Sequence, residues 1–191
     1  MKKILYIAGA LMLLVPAVSH AQALPFVAAE TDAASLGTAG AGLVETSSVA
    51  DASFSNAAVI PFSDNKLDAS VGYTMWQPSS SNILNVGVAY NVKSKFGVAL
   101  GVHYGMNPSY DVTNESGAVA GVFAPKDIHV NAGLAWRFLP FLSLGANIGY
   151  ATSSLAEGHS YGALAADVFA MAKFGDFRVT AGVANVGTTV K

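Results

Sequence analysis

The chain has 191 residues, 12% of them charged and 52% hydrophobic, with 10 basic and 12 acidic residues and no cysteine. An ordinary soluble domain is about a quarter charged, and this composition points away from one. No basic patch suggests nucleic acid, and disulfide or thiolate chemistry is excluded, which is compatible with an oxidising periplasm.

Residues 1–21 open the chain. Lys2 and Lys3 precede an apolar run from Ile4 to Val18, and Ser19-His20-Ala21-Gln22-Ala23 comes after it. A basic start, an apolar stretch and a small-x-small site make a secretory signal peptide. Cleavage is expected after Ala21, with Ala23 as the second choice. An uncleaved anchor is the alternative, but about 15 apolar residues fall short of a bilayer span. With no cysteine after the site, the chain is not a lipoprotein. Cleavage removes two lysines and leaves the mature chain more acidic.

Residues 22–65 have a different texture. Thr31-Asp32-Ala33-Ala34-Ser35-Leu36-Gly37 leads into Thr38-Ala39-Gly40-Ala41-Gly42, and Asp51-Ala52-Ser53-Phe54-Ser55-Asn56-Ala57-Ala58 runs to Pro61. This stretch is too Gly-rich and small-sided for a stable helix, and it lacks a long strand period. Phe26, Leu36, Phe54, Ile60 and Phe62 supply enough apolar anchors to favour a compact plug with short turns over a floppy leader. Its expected place is at or inside the periplasmic mouth of a barrel built from the remaining residues.

From residue 66 to 191 the chain alternates with a period of two. Seven strands are predicted at Lys66–Trp76, Asn82–Val92, Lys95–Met106, Asp127–Phe138, Phe141–Ser153, Tyr161–Phe174 and Asp176–Gly187. Leu84, Val86, Val88, Tyr90 and Val92 share one face of the second; Asn85, Gly87, Ala89 and Asn91 share the other. The third sets Phe96, Val98, Leu100, Val102 and Tyr104 against Gly97, Ala99, Gly101, His103 and Gly105. Period two marks strands whose faces meet different surroundings. Bulky residues on one face, small or polar residues on the other and very little charge fit a transmembrane antiparallel β-barrel, all-β in class.

Strand lengths near the roughly 9–11 residues that cross a bilayer at a tilt support this. Lys93-Ser94, Leu139-Pro140 and Gly175 make tight connections. Gln77–Ser81, Asn107–Lys126 and Ser154–Ser160 make longer ones. Bacterial barrels keep short turns in the periplasm and longer loops outside, which places the N-terminus in the periplasm. Single-chain bacterial barrels have an even strand count. Seven strands are therefore read as about half of a barrel in a C-terminally incomplete chain. The alternative is a small complete barrel that uses residues 24–65 as an eighth strand.

No catalytic constellation is visible, and the chain is read as non-enzymatic. Ser153, Ser154 and His159 lie in or beside one loop with only Glu157 to orient the histidine, too little for a hydrolase. His103 and His129 fall on inner faces of neighbouring strands, but two histidines are short of a metal site, and no cofactor or metal is expected. Gly37-Thr38-Ala39-Gly40-Ala41-Gly42 comes after no strand and precedes no Lys-Ser/Thr, so it is not a nucleotide loop. Asp68, Asp127, Arg137, Asp167 and Arg178 fall on the lumen side by register, where charge is tolerated far better than in lipid. Asp167 shares its face with Ala163, Ala165, Phe169 and Met171, so it calls for a partner such as Arg178 or Arg137. A structural ion pair is the simpler role for these charges and a substrate contact the sharper one.

The order of the pieces resembles the PorV/PorQ family of FadL-like outer-membrane barrels. That family opens with a segment like D-A-R-x-x-G-M-G-G-A-G-V-A-T, then an Asp and an N-P-A. Here Asp32-Ala33-Ala34-Ser35-Leu36-Gly37-Thr38-Ala39-Gly40-Ala41-Gly42-Leu43-Val44 takes that place, with Asp51 and Asn56-Ala57-Ala58 after it. Tyr73-Thr74-Met75-Trp76 resembles the family's Y-x-x-W, the stretch Asp111 to Asp127 a lengthened D-x-x-G-x-x-x-G-x-F-x-P-x-D loop, and Asn185-Val186-Gly187 its N-I-G. Ala57 stands where the family has Pro, and Ala34 where its members often have Arg. The resemblance implies a barrel of about fourteen strands in the outer membrane and a non-enzymatic role in type IX protein secretion. The implied partners are the lipid bilayer, secreted cargo and other secretion-system subunits. Cargo would meet the outer loops, with Asp111, Asn114 and Glu115 as candidate contacts. The runner-up is a FadL-like channel for hydrophobic small molecules, for which the Gly- and Ala-lined inner face would leave room. A purely structural barrel is the third reading.

Overall fold

The computed structural model describes residues 24–38, 41–44, 48–77 and 81–188. The expected signal peptide and its cleavage site lie outside the described residues, as do residues 78–80 of the Gln77–Ser81 connection.

Nine strands are present among the described residues: β1 (Leu67–Gln77), β2 (Ser81–Val92), β3 (Phe96–Met106), β4 (Tyr110–Thr113), β5 (Val119–Phe123), β6 (Lys126–Leu139), β7 (Leu142–Ala156), β8 (His159–Phe174) and β9 (Phe177–Gly187). The protein is all-β. Seven strands form one antiparallel sheet in the order β1-β2-β3-β6-β7-β8-β9, and β4 pairs only with β5. The sheet is open, with β1 and β9 at its edges. Among the described residues no helix is long and apolar enough to cross a membrane.

The period-two pattern sets the register. Val86 pairs with Val102, Val102 with Val130 and Val130 with Tyr150, so bulky side chains share one face. That face is bare: Leu100 is 59% exposed, Leu134 65% and Ile148 58%. The other face carries Gly, Ala, Asn, Ser and His, and the segment from residue 24 to 65 covers it. Its described residues form 3-10 turns at Pro25–Ala28, Ala41–Leu43, Val49–Ser53 and Ala57–Phe62, and one short helix, α1 (Ala33–Gly37). Small side chains and frequent Gly limit the helix, and side-chain caps supply its punctuation. Asp32 accepts from the Ser35 N–H, Ser48 from Ala50 and Asn56 from Ala58, each satisfying an orphan donor of its turn.

Small residues on the sheet let this segment come close. A Cβ on Gly97 would meet Ile60 Cγ2 at 2.7 Å, one on Gly101 would enter the Phe54 ring, and one on Gly145 the Ala58 backbone. Ala52, Ala57, Ala58, Val59 and Ile60 form the core with Ala89, Ala99, Ala135 and Met171. Fully burying a side chain such as Ile60 contributes roughly 1.5–3 kcal/mol.

Three expectations need correction. The N-terminal segment does not sit at one mouth. It runs the length of the face, from Phe26 near Gly105, past Phe54 at Gly101, to Pro61 beside Arg137. Second, the Asn107–Lys126 connection is not a plain loop, because β4 and β5 make an ordered hairpin within it. Third, the Ser154–Ser160 loop shrinks to the turn at Glu157-Gly158, because Ser154 pairs with Ser160 and Ala156 with His159. Gly158 supplies the turn with φ +74°, a region open to glycine without strain.

Candidate functional site

The covered face holds the segment through polar side chains that donate to its backbone. Short 3-10 turns leave carbonyls without helical partners. Asn147 Nδ2 donates to the Ala52 and Ser55 carbonyls at 3.3 and 3.1 Å, and Ser143 Oγ to Ala58 at 2.6 Å. Asn91 Nδ2 reaches the Ser63 carbonyl at 2.8 Å. Asn56 works in the other direction, donating to the Leu43 carbonyl at 2.7 Å and to Thr180 Oγ1 on β9 at 3.0 Å. Asp51 accepts from Ser70 Oγ on β1 at 2.7 Å and from Asn85 Nδ2 on β2 at 3.3 Å. Burial pushes the Asp51 carboxyl above the usual range; the Ser70 bond pulls it back and the negative charge of Asp32 adds to the rise.

At the start of the segment, Glu30 binds the backbone N–H groups of Thr31 and Asp32 and the Ser35 hydroxyl. Ser35 Oγ in turn accepts from Gly42 at 3.0 Å. Asp32, Asp51 and Asn56 therefore act as caps and pins. The family resemblance singled out all three and said nothing of what they hold. Sequence reasoning missed Asn147, Ser143 and Asn91 entirely as contacts, although their recurrence on one face was the visible signal.

His103 and His129 are directly opposed in the β3–β6 ladder, with ring centroids 6.0 Å apart. Phe54 stacks on His103 at 3.6 Å, and Thr31 Oγ1 lies 3.1 Å from His103 Nε2. Both rings are buried, and their Nδ1 atoms have no hydrogen-bond partner. They line a cavity of about 240 Å³ together with Glu30, Asn131 and Asp167. Among the described residues no group of three or more His, Cys, Asp or Glu could hold a metal ion.

The expected partners of Asp167 are elsewhere. Arg178 pairs with Lys173 across β8–β9, six positions along from Asp167, or about 20 Å of strand. Arg137 donates to the Pro61 carbonyl at 3.2 Å and lies over the Phe62 ring at 5.0 Å. Asp167 instead accepts from the Asn185 backbone N–H at 2.6 Å. Asn185 has φ +58° and sits in a bulge of β9, which frees its N–H from the ladder. Asp68 is half-buried on the covered face, close enough to Asp51 for its charge to act there.

At the end of the sheet away from the tight turns lies a larger cavity of about 870 Å³, bordered by Pro108 and Pro125 on either side of the hairpin in the chain. Leu24, Phe26, Ile83, Pro125, Leu155 and Tyr161 give it an apolar lining, and Asn107 and Asp127 stand at its edge with a 2.7 Å hydrogen bond between them. Tyr110 anchors the hairpin by donating to the Leu155 carbonyl at 2.6 Å. Asp111 and Glu115 are exposed on the hairpin. Asn114 is exposed too, but its Oδ1 is engaged by Ser116 N, Ser116 Oγ and Ala118 N. That side chain shapes the turn.

The chain matches no protein-family model and no curated protein.

Proposed function

We propose that this protein is an outer-membrane β-barrel component of PorV/PorQ type, a non-enzymatic part of type IX secretion that engages cargo at the cell surface. The membrane part of this reading is supported by the bare apolar face, where Val88, Leu100, Val130, Leu134, Ile148 and Tyr150 stand exposed on neighbouring strands, an arrangement that soluble monomers rarely show. The cargo part is supported above all by the anchored β4–β5 hairpin, whose exposed Val122 pairs with Asp111 and whose exposed Val119 pairs with Thr113. A hairpin of this length exceeds what strand closure needs. Deleting 112–120 should leave the protein in the outer membrane and block surface display of cargo.

The second reading, a channel for hydrophobic small molecules, draws on the 870 Å³ cavity. It no longer draws on room along the Gly- and Ala-lined face, which Phe54, Ala57, Ala58 and Ile60 occupy. Ser153 is buried in the cavity lining, and Ser153→Trp would fill the cavity. If secretion survives the hairpin deletion while Ser153→Trp abolishes uptake of a hydrophobic solute, the channel reading replaces the export one. Recovery of the mature protein in the detergent-free periplasmic fraction would end both.

A further inference from the structure

Six of the seven basic side chains among the described residues cluster at the tight-turn end of the sheet. Lys66 precedes β1, Lys93 and Lys95 form the β2–β3 turn, Arg137 lies near the end of β6, and Lys173 and Arg178 flank the β8–β9 turn. Two acids, Asp64 and Asp176, share that end, while Asp68 faces the covered side. The hairpin end has the opposite balance, with Asp111, Glu115, Asp127 and Glu157 against Lys126. The tight-turn end also concentrates exposed aromatic rings. Phe96 stacks on Trp136 at 6.5 Å, Trp136 lies 5.7 Å from Phe138, and Phe141 stacks on Phe174 at 5.2 Å. Lys66 Nζ sits 5.8 Å from the Tyr90 ring centre and Lys95 Nζ 5.8 Å from that of Phe96.

We propose that this end of the sheet is a docking surface for the phosphate headgroups of anionic phospholipid. The inference rests on the membrane reading and goes beyond it, because an apolar face alone would enter any bilayer of suitable thickness. Aromatic rings settle at headgroup depth. Lysine stems lie along apolar surface while their ammonium groups reach for water and phosphate. Lys66 and Lys95, each held over a ring at the margin of the bare face, have that geometry. Arg137 is engaged by Pro61 and Phe62, so the exposed Lys66, Lys93 and Lys95 carry the interaction. The charge asymmetry makes it directional, with the tight-turn end in the anionic leaflet and the hairpin end away from it.

The test compares partitioning of the chain into vesicles of phosphatidylcholine alone and of phosphatidylcholine with about 30% phosphatidylglycerol, enough to give a negative surface potential of tens of millivolts. The wild type should favour the anionic vesicles, by about fivefold per exposed lysine at low salt, and the preference should collapse at high salt. Lys66→Gln/Lys93→Gln/Lys95→Gln should remove most of the preference and keep partitioning into neutral vesicles. Lys126→Gln, at the other end, should keep the preference. Equal partitioning of the wild type into both vesicles would overturn the proposal and leave the membrane reading standing. An equal loss in Lys126→Gln would overturn the directional surface. Failure to enter either vesicle would overturn the membrane reading itself.

Discussion

The two faces of the sheet are made from the same strands and solve opposite problems. On the bare face, bulky side chains stand exposed and few polar groups interrupt them. On the covered face, Gly and Ala bring a non-repetitive segment within contact, and Asn and Ser meet its backbone. Neighbouring positions such as Leu100 and Gly101 are therefore governed by different physics. Size is free on one face, and under the membrane reading polarity is costly there; on the other, size is costly and polarity is required. A reading by hydrophobicity alone recognises the first face and misjudges the second as empty.

The largest expected effect breaks the symmetry between apolar and charged residues on the bare face. Leu100→Arg should cost roughly 2–4 kcal/mol of folding free energy in lipid vesicles, as for a charge at mid-bilayer, while Leu100→Ile stays near wild type. Equal folding yields for the two would show that this face does not meet lipid.

The next effect inverts the comparison by adding bulk. Gly145→Val places a Cβ against the Ala58 backbone and should cost about 1–3 kcal/mol, as overpacking does. Ala146→Val, one position along on the exposed face, should be nearly silent. Protease cleavage between residues 48 and 65 is the readout, since a displaced segment becomes accessible. The same contact logic applies to Gly101→Arg: Phe54 lies against that position, so the arginine must displace the segment.

Polarity is the third lever. Asn147→Ala removes both donor bonds to the Ala52 and Ser55 carbonyls. Leaving buried acceptors unmet costs about 1–3 kcal/mol, and the low end applies because both bonds are long. A lowered urea midpoint for segment release, with the strand signal unchanged, is the expected result. An unchanged midpoint would mean that the covered face holds the segment by packing alone.

How much of this was legible depends on the same contrast. Period-two alternation located the seven sheet strands to within about one to three residues, because alternate burial acts on every residue of a strand. The β4–β5 hairpin escaped because Tyr110–Thr113 and Val119–Phe123 are short and Gly121 interrupts the second. The contacts of residues 24–65 were illegible for a different reason. They join side chains to backbone groups in irregular turns, and no periodicity marks such pairs. Asp167 shows the limit most clearly. Its charge called for an arginine, but the strand register keeps Arg178 away, and a bulge at Asn185 offers a backbone N–H instead. A bulge depends on how two strands meet, and neither strand's sequence alone announces it.

The smallest expected effect sharpens the comparison at Asp51, a carboxylate that bridges the segment and two strands. Asp51 lies buried between Ser70 and Asn85, and burial raises its pKa above the ordinary 3.8. A raised carboxyl pKa means that the docked state favours the protonated acid. Docking is therefore weakest when Asp51 is ionised at neutral pH. It strengthens as pH falls through the raised pKa, and the gain is complete near the unfolded value, where the released chain also takes up its proton. Asp51→Asn keeps an oxygen for Ser70 and Asn85 and removes the charge. The variant should hold the segment slightly more firmly than the wild type at about pH 7.5, and the two should converge as the pH approaches about 4. Urea-induced release of the segment at the two pH values is the measurement. A variant weaker than the wild type at the higher pH would show that the ionised carboxylate, through its bonds to Ser70 and Asn85, contributes more than its burial costs.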